Sequence, residues 1–207
     1  MTFRQHMRQL AVNALAEFPD AAESGLYTVT FRIDSVDQDP RFPCLALGYN
    51  TEAEVARLLA EPNPPEPWEA RWNYAYFPPS GLEGVRVIGH DEEHDPHGAA
   101  LHRQEAAANG LWYEDDAPQH LQDERAELLD AEFHQLCVEV ARQLHADGDL
   151  VRALGRPVPV ILYDMFDPEA MFALTRAANP PELAADFLSG QEADEQAAEE
   201  PAPEPGV

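Results

Sequence analysis

Residues 26–33 read LYTVTFRI, in which Tyr27, Val29, Phe31 and Ile33 alternate with Thr28, Thr30 and Arg32. A period of two sends successive side chains to opposite faces of an extended chain, so this stretch predicts a strand with one face on a core. The turn-rich DSVDQDPR comes next, followed by FPCLALGY, a more continuously apolar run, and together they predict a β-hairpin. Three later stretches also have strand character. WEARWNYAYF concentrates Trp68, Trp72, Tyr74, Tyr76 and Phe77. LEGVRVIG follows a turn made by Pro78, Pro79, Ser80 and Gly81, and VPVILYD has the compact apolar character of a strand in the middle of a sheet.

Between these strands the period changes to that of helices. Phe3, Met7, Leu10, Ala14, Leu15 and Phe18 recur at helical spacing until Pro19 and Asp20 stop the run. NTEAEVARLLAE opens on Asn50 or Thr51 as a cap, with Glu54 three residues past Thr51, and ends before NPPEP. A short helix is expected over 98–109 and a long one over 119–146, where Leu121, Leu128, Leu129, Phe133, Leu136, Val140 and Leu144 recur. DPEAMFALTRAAN starts with Asp167 as cap and Pro168 at the first helical position, and PPELAADFL makes a last short helix. The expected fold is a single α+β domain over 1–188, a central mixed or mainly antiparallel sheet of about five strands packed by helices. Residues 189–207, rich in Pro, Glu and Ala, have too little apolar surface to order themselves and are expected to form a disordered acidic tail.

Charge restricts function more than fold. The chain has 39 acidic and 13 basic residues, a formal net charge of −26, and every basic residue is arginine. Removing the six acids of the tail still leaves −20 on the body. Such a field repels nucleic-acid phosphates and anionic lipid, which argues against both as partners and favours a basic protein partner. Adaptation to a GC-rich genome or a salt-rich cytoplasm accounts for the same composition without any partner. No run reaches the 18 or so apolar residues of a membrane span, and MTFRQHMRQLAVNALAEF has neither a signal-peptide nor an anchor pattern. The two cysteines, Cys44 and Cys137, form no C-x-x-C pair, so a reducing cytoplasm is expected. Cys137 lies among apolar helix positions one turn from His134, where packing accounts for it better than nucleophilic catalysis does.

One short match to a catalytic pattern is present. His90, Glu93 and His94 spell H-x-x-E-H, the ligand and base order of a class of zinc peptidases, and a metal-dependent hydrolase is therefore the alternative function. That chemistry needs both imidazoles on one helical face, but Gly89 precedes the motif, Asp95-Pro96 follows it, and 90–98 offers no apolar residue to dock a helix. A polar loop is the simpler expectation, with no cofactor. The acids of this stretch, Asp91, Glu92, Glu93 and Asp95, suit cations on a partner. So do Glu114, Asp115 and Asp116 beside Trp112 and Tyr113, where rings supply buried area and carboxylates steer approach. Packing of those two rings on the sheet is the competing expectation. Asp164 and Asp167 close the VPVILYD strand, a position where α/β proteins often keep functional acids, although Asp167 already has a capping role. No G-x-S-x-G elbow or phosphate loop is present, and a chain without lysine cannot supply the loop's lysine.

The order LYTVTFRI, LALGYNTEAEV, WNYAYF, long helix, VPVILYD and NPPELAADFL resembles a bacterial domain-of-unknown-function family, the one numbered four-three-zero-three, over residues 1–188. Asn50, Thr51, Trp72, Asp164 and Asn179 with Pro180 match as caps, core residues and turns, whereas GHDEEHDPHG and the tail fit no part of the pattern. Members are similar to proteins near polymorphic-toxin and contact-dependent systems. The resemblance therefore implies a non-enzymatic cytoplasmic binding protein of the immunity type, and the net charge adds the expectation that it binds a basic partner through an acidic surface.

Overall fold

A computed structural model of the chain describes residues 1–77 and 86–199. Four strands form one mixed sheet in the order β3-β2-β1-β4, with β1 at Leu26–Ser35, β2 at Pro43–Thr51, β3 at Arg86–Gly89 and β4 at Val160–Asp164. The hairpin pairs β1 and β2 antiparallel, β3 continues antiparallel on β2, and β4 lies parallel to β1 with Val29 opposite Val160 and Ile33 opposite Asp164. The α+β class and the helix-packed sheet agree with the sequence expectation, with four strands in place of five. The turn expected at 78–81 lies outside the described residues.

Helices cover both faces. On one side lie α1 (Phe3–Leu15), α5 (Pro96–Ala108), α6 (Gln119–Ala146) and α7 (Asp149–Leu154), and their Phe3, Met7, Leu15, Phe133, Cys137, Leu144 and Leu150 meet Val29, Phe31, Ile33, Leu45, Leu47, Val160 and Leu162 in the main core. The short α2 (Ala21–Ser24), capped by Asp20, turns the chain from α1 into β1. On the other side α3 (Glu52–Leu59), α4 (Pro67–Trp72) and α9 (Pro181–Glu199) pack Val55, Leu58, Trp72 and Phe187 around Tyr27, Ile161 and Tyr163. β1 is therefore buried on both faces, and the polar half of LYTVTFRI is inside: Thr28, Thr30 and Arg32 are all buried. From Thr28 onward the alternation marks which layer each side chain faces and does not mark a wet face; Tyr27, at the register shift between Leu26 and Thr28, packs in the layer opposite Val29, Phe31 and Ile33.

WEARWNYAYF is not a strand. Pro67 opens a helix, Glu69 and Arg71 complement its two ends, and Asn73 closes it before a 3-10 turn at Tyr74–Tyr76. Tyr27 and Tyr163 donate their hydroxyl protons to the carbonyls of Arg71 and Trp72, which satisfies the orphan carbonyls at the helix end and docks it on the sheet. The aromatic residues pack from a helix, so their enrichment reflects burial and not extended backbone. α9 is also longer than expected: it runs through Ser189 to Glu199, across the first part of the tail expected to be disordered, and residues 200–207 lie outside the described residues.

β4 is an edge strand, not a middle one. Its outward amides are met by side chains of α8 (Ala170–Ala178) and its cap: Leu162 donates to Thr175 Oγ1 at 3.0 Å and Val160 to Asn179 Oδ1 at 2.7 Å. Asn179 Nδ2 returns a bond of 2.7 Å to the Val160 carbonyl and one of 2.8 Å to that of Thr175. A helix thus takes the place of a fifth strand, which explains how so apolar a strand tolerates an edge position. Replacing Asn179 by Ala strips these bonds and is expected to lower unfolding free energy by about 2–3 kcal/mol in urea titration. A loss below about 0.5 kcal/mol would mean that water covers this edge equally well.

Candidate functional site at the carboxyl end of the sheet

β1 and β4 end side by side, and the carboxyl ends of parallel strands are where such sheets open a crevice toward ligands. Asp164 is the last residue of β4 and shares its face with Val160 and Leu162, which directs it toward α6. There it meets His134, whose Nε2 pairs with Asp164 Oδ2 while Nδ1 lies 3.5 Å from Asp130 Oδ2 one helical turn earlier. The second oxygen of Asp164 accepts the backbone N–H groups of Phe166 at 2.6 Å and Asp167 at 2.8 Å. The carboxylate is thereby fixed in one orientation.

The electrostatics follow from these contacts. Burial alone would raise the Asp164 pKa, but the His134 bond and two backbone N–H groups outweigh it and hold the carboxyl below its ordinary range. Burial would likewise lower His134, but the carboxylates of Asp164 and Asp130 raise it above the ordinary histidine value. Asp130 is raised, by partial burial first and then by Asp164 and Asp167, against the opposing pull of His134. Cys137, one turn further along α6, is fully enclosed, and burial pushes its thiol well up, so it is an inert core residue next to a polar cluster.

A groove of about 780 Å3 opens near the same end. Its apolar lining comes from Leu10, Val36, Val87 and Ile88, and its acidic lining from Asp34 at the end of β1, Asp37 of the hairpin, and Asp91 and Asp95 of the turn after β3. Arg86 and His94 also line it. Cys44 in the wall is buried and its thiol is pushed up to about 12 by burial, with Asp34 and Asp91 adding to the shift.

The H-x-x-E-H residues do not converge. His90 leaves β3 only 1% exposed, whereas the His94 side chain is 70% exposed, and Glu93 is also at the surface. Asp91 shapes the segment as a turn: it accepts the N–H groups of Glu93 at 2.9 Å and His94 at 3.0 Å and pairs with the His94 ring. The helix begins only at Pro96, with Asp95 as its cap. His90 Nδ1 instead lies 2.8 Å from His102 Nδ1, beneath the stacked ring of Trp112. Gly98 is required at the start of this helix, since a Cβ there would lie 2.5 Å from the Gly89 carbonyl and 2.3 Å from the Asp95 carboxylate.

The acids chosen from the sequence separate into two kinds. Asp91, Glu92 and Glu93 are within reach of solvent, but Asp95 is buried at the groove wall, with His6 Nε2 at 2.8 Å and the Gly98 amide at 2.9 Å, so it ties α1 to α5. Tyr113 is buried as well, and Trp112 is half-buried against His90 and Phe42. Glu114, Asp115 and Asp116 are exposed, yet Asp115 already pairs with Arg41 at 2.7 Å and Glu114 approaches Arg103 at 4.0 Å. Sequence reasoning noted His134 and Asp164 separately and missed their pairing, because 30 residues separate them. The one local signal was Asp130 four residues before His134 on a helix.

The His90–His102 pair makes stability depend on pH. Burial first, then the neighbouring imidazole, push His102 down to about 4, and burial lowers His90 as well. The folded state binds the His102 proton less tightly than the unfolded chain does. The associated stability is therefore complete above the ordinary histidine value of about 6.5 and is lost as pH falls toward 4. Denaturant titration is expected to show about 2 kcal/mol lost through His102 between roughly pH 7 and pH 5, and His102→Gln is expected to remove that share. An unchanged pH slope in the variant would place the sensitivity elsewhere.

Comparison with known proteins returns no relative: no protein-family model, no curated protein and no solved structure matches this chain.

Proposed function

We propose that the protein binds a cationic protein partner, with the groove at the carboxyl end of the sheet receiving an arginine or lysine side chain. The observation that carries this reading is the pairing, in one groove lining, of apolar Leu10, Val36 and Val87 with carboxylates from three separate segments, Asp34, Asp37 and Asp91. An arginine stem is apolar and its head is a planar donor set, so such a lining complements both parts. The exposed Glu92 and Glu93 and the net charge of −26 extend the same field beyond the groove and accelerate encounter with a basic surface. A neutralising, immunity-type role by steric occlusion, as the family resemblance implies, is the specific form of this reading. Two buried free cysteines suit a reducing cytoplasm, and among the described residues no helix is long and apolar enough to cross a membrane.

The test is NMR titration of the full chain with arginine-containing peptides. Shifts are expected to concentrate at Leu10, Val36 and Val87, and affinity to fall at least about tenfold between roughly 50 mM and 500 mM NaCl. The combined Asp34→Asn, Asp37→Asn and Asp91→Asn variant is expected to lose about as much at low salt. Shifts spread evenly over the surface, with the triple variant unaffected, would mean that the acidity reflects composition alone.

A further inference from the structure

We propose that Asp130, His134 and Asp164 form a binding site for one divalent metal ion of the zinc class. Each residue offers one ligand atom, and the three atoms lie within 4.8 Å of one another. Donors around an ion bound at about 2.1 Å sit roughly 3–4 Å apart, so closing the site needs the Asp164–His134 contact to open slightly and Asp130, whose side chain is 53% exposed and now faces the other ring nitrogen, to swing toward it. The other two donors are already held. Asp164 is 3% exposed and fixed by two backbone N–H groups, and His134 is 15% exposed on a long helix packed into the core. The result is two anchored donors and one exposed donor at the mouth, which leaves outer positions for water.

Charge balance separates this cluster from the carboxylates that meet arginines: buried Asp149 meets Arg8 and Arg152, half-buried Asp39 meets Arg41, and exposed Glu52 meets Arg71. Buried Asp95 also has an imidazole, that of His6, but as a one-to-one pair. Here, among the described residues, the ion pairs of Asp130 and Asp164 both go to the single imidazole of His134. Asp167 adds a third carboxylate that pushes against Asp130. Three carboxylates around one imidazole leave net negative charge even when His134 is protonated, and a divalent cation neutralises it. Mixed imidazole and carboxylate donors suit Zn2+ and its spectroscopic substitute Co2+ better than Ca2+, which prefers oxygen alone. The ion would take one of the two His134 nitrogens, each of which now faces a carboxylate, and replace that contact. This site does not depend on the cationic groove, and its failure would leave that reading intact.

The experiment is titration of chelator-treated full-length protein with Co2+ and Zn2+, followed by visible absorption and calorimetry. One equivalent is expected to bind with a weak visible cobalt band and no thiolate charge-transfer band, since Cys44 and Cys137 take no part. Asp130→Asn, an exposed change compatible with folding, is expected to weaken binding at least about tenfold, in line with loss of one ligand, and His134→Gln to weaken it further. His94→Ala is expected to bind as the parent does. Absence of a saturable single site, retention of full affinity in Asp130→Asn, loss of binding in His94→Ala, or a thiolate band would each overturn the assignment.

Discussion

The parallel pairing of β4 with β1 is the constraint on which the rest of the structure depends. It joins Val160–Asp164 to Val29–Ile33 across about 130 residues, so its loop-closure cost is offset only when the intervening helices pack. Once formed, it buries β1 on both faces, brings Leu162 and Val160 under α6, and sets Asp164 beside His134. α8 then completes the edge, with Thr175 and Asn179 in place of a neighbouring strand. Core and polar cluster thus arise from one register.

A chain with three acids to each base still needs cross-links, and it uses its arginines for them. Arg8 bridges Asp147 and Asp149 and ties α1 to the α6–α7 junction; Arg71 joins α4 to Glu52 and to Asp186 of α9. Arg41 holds Asp39 and Asp115 while lying over the rings of Phe42 and Tyr113. The guanidinium serves this better than an ammonium would, because its planar fork takes several acceptors at once and stacks on aromatic faces. With its arginines engaged in this way, the surface field is left almost wholly negative.

Much of the fold was legible. The hairpin, the long helix at Gln119–Ala146 and the Thr51 cap follow from local periodicity and capping chemistry, and all occur where the residues indicate. The errors share a physical origin: they came from treating burial as backbone preference. Aromatic density made WEARWNYAYF resemble a strand, although Pro67, Glu69 and Arg71 held the helix signal. VPVILYD looked central because it is apolar on both faces, and nothing local indicates that a helix rather than a strand covers its edge. The site was legible only in parts. Asp164 stood out as an acid at a strand end and Tyr113 is buried, as the competing expectation for its ring had it, but Asp95 gave no sign of being buried, and His134 no sign of its partner.

By itself the sequence determined the class of fold, the position of most elements, the negative field and the absence of lysine, since each depends on composition or on contacts a few residues apart. Only the tertiary structure decided the strand order, which acids face solvent, and which histidines meet which carboxylates. Those depend on pairings between distant segments, whose energies no local window contains. The H-x-x-E-H run illustrates the difference, with its five letters in order but His90 turned inward to His102 and His94 outward to water. Asp130, His134 and Asp164 illustrate it from the other side, as three residues without a motif that the sheet and α6 bring within reach of a single ion.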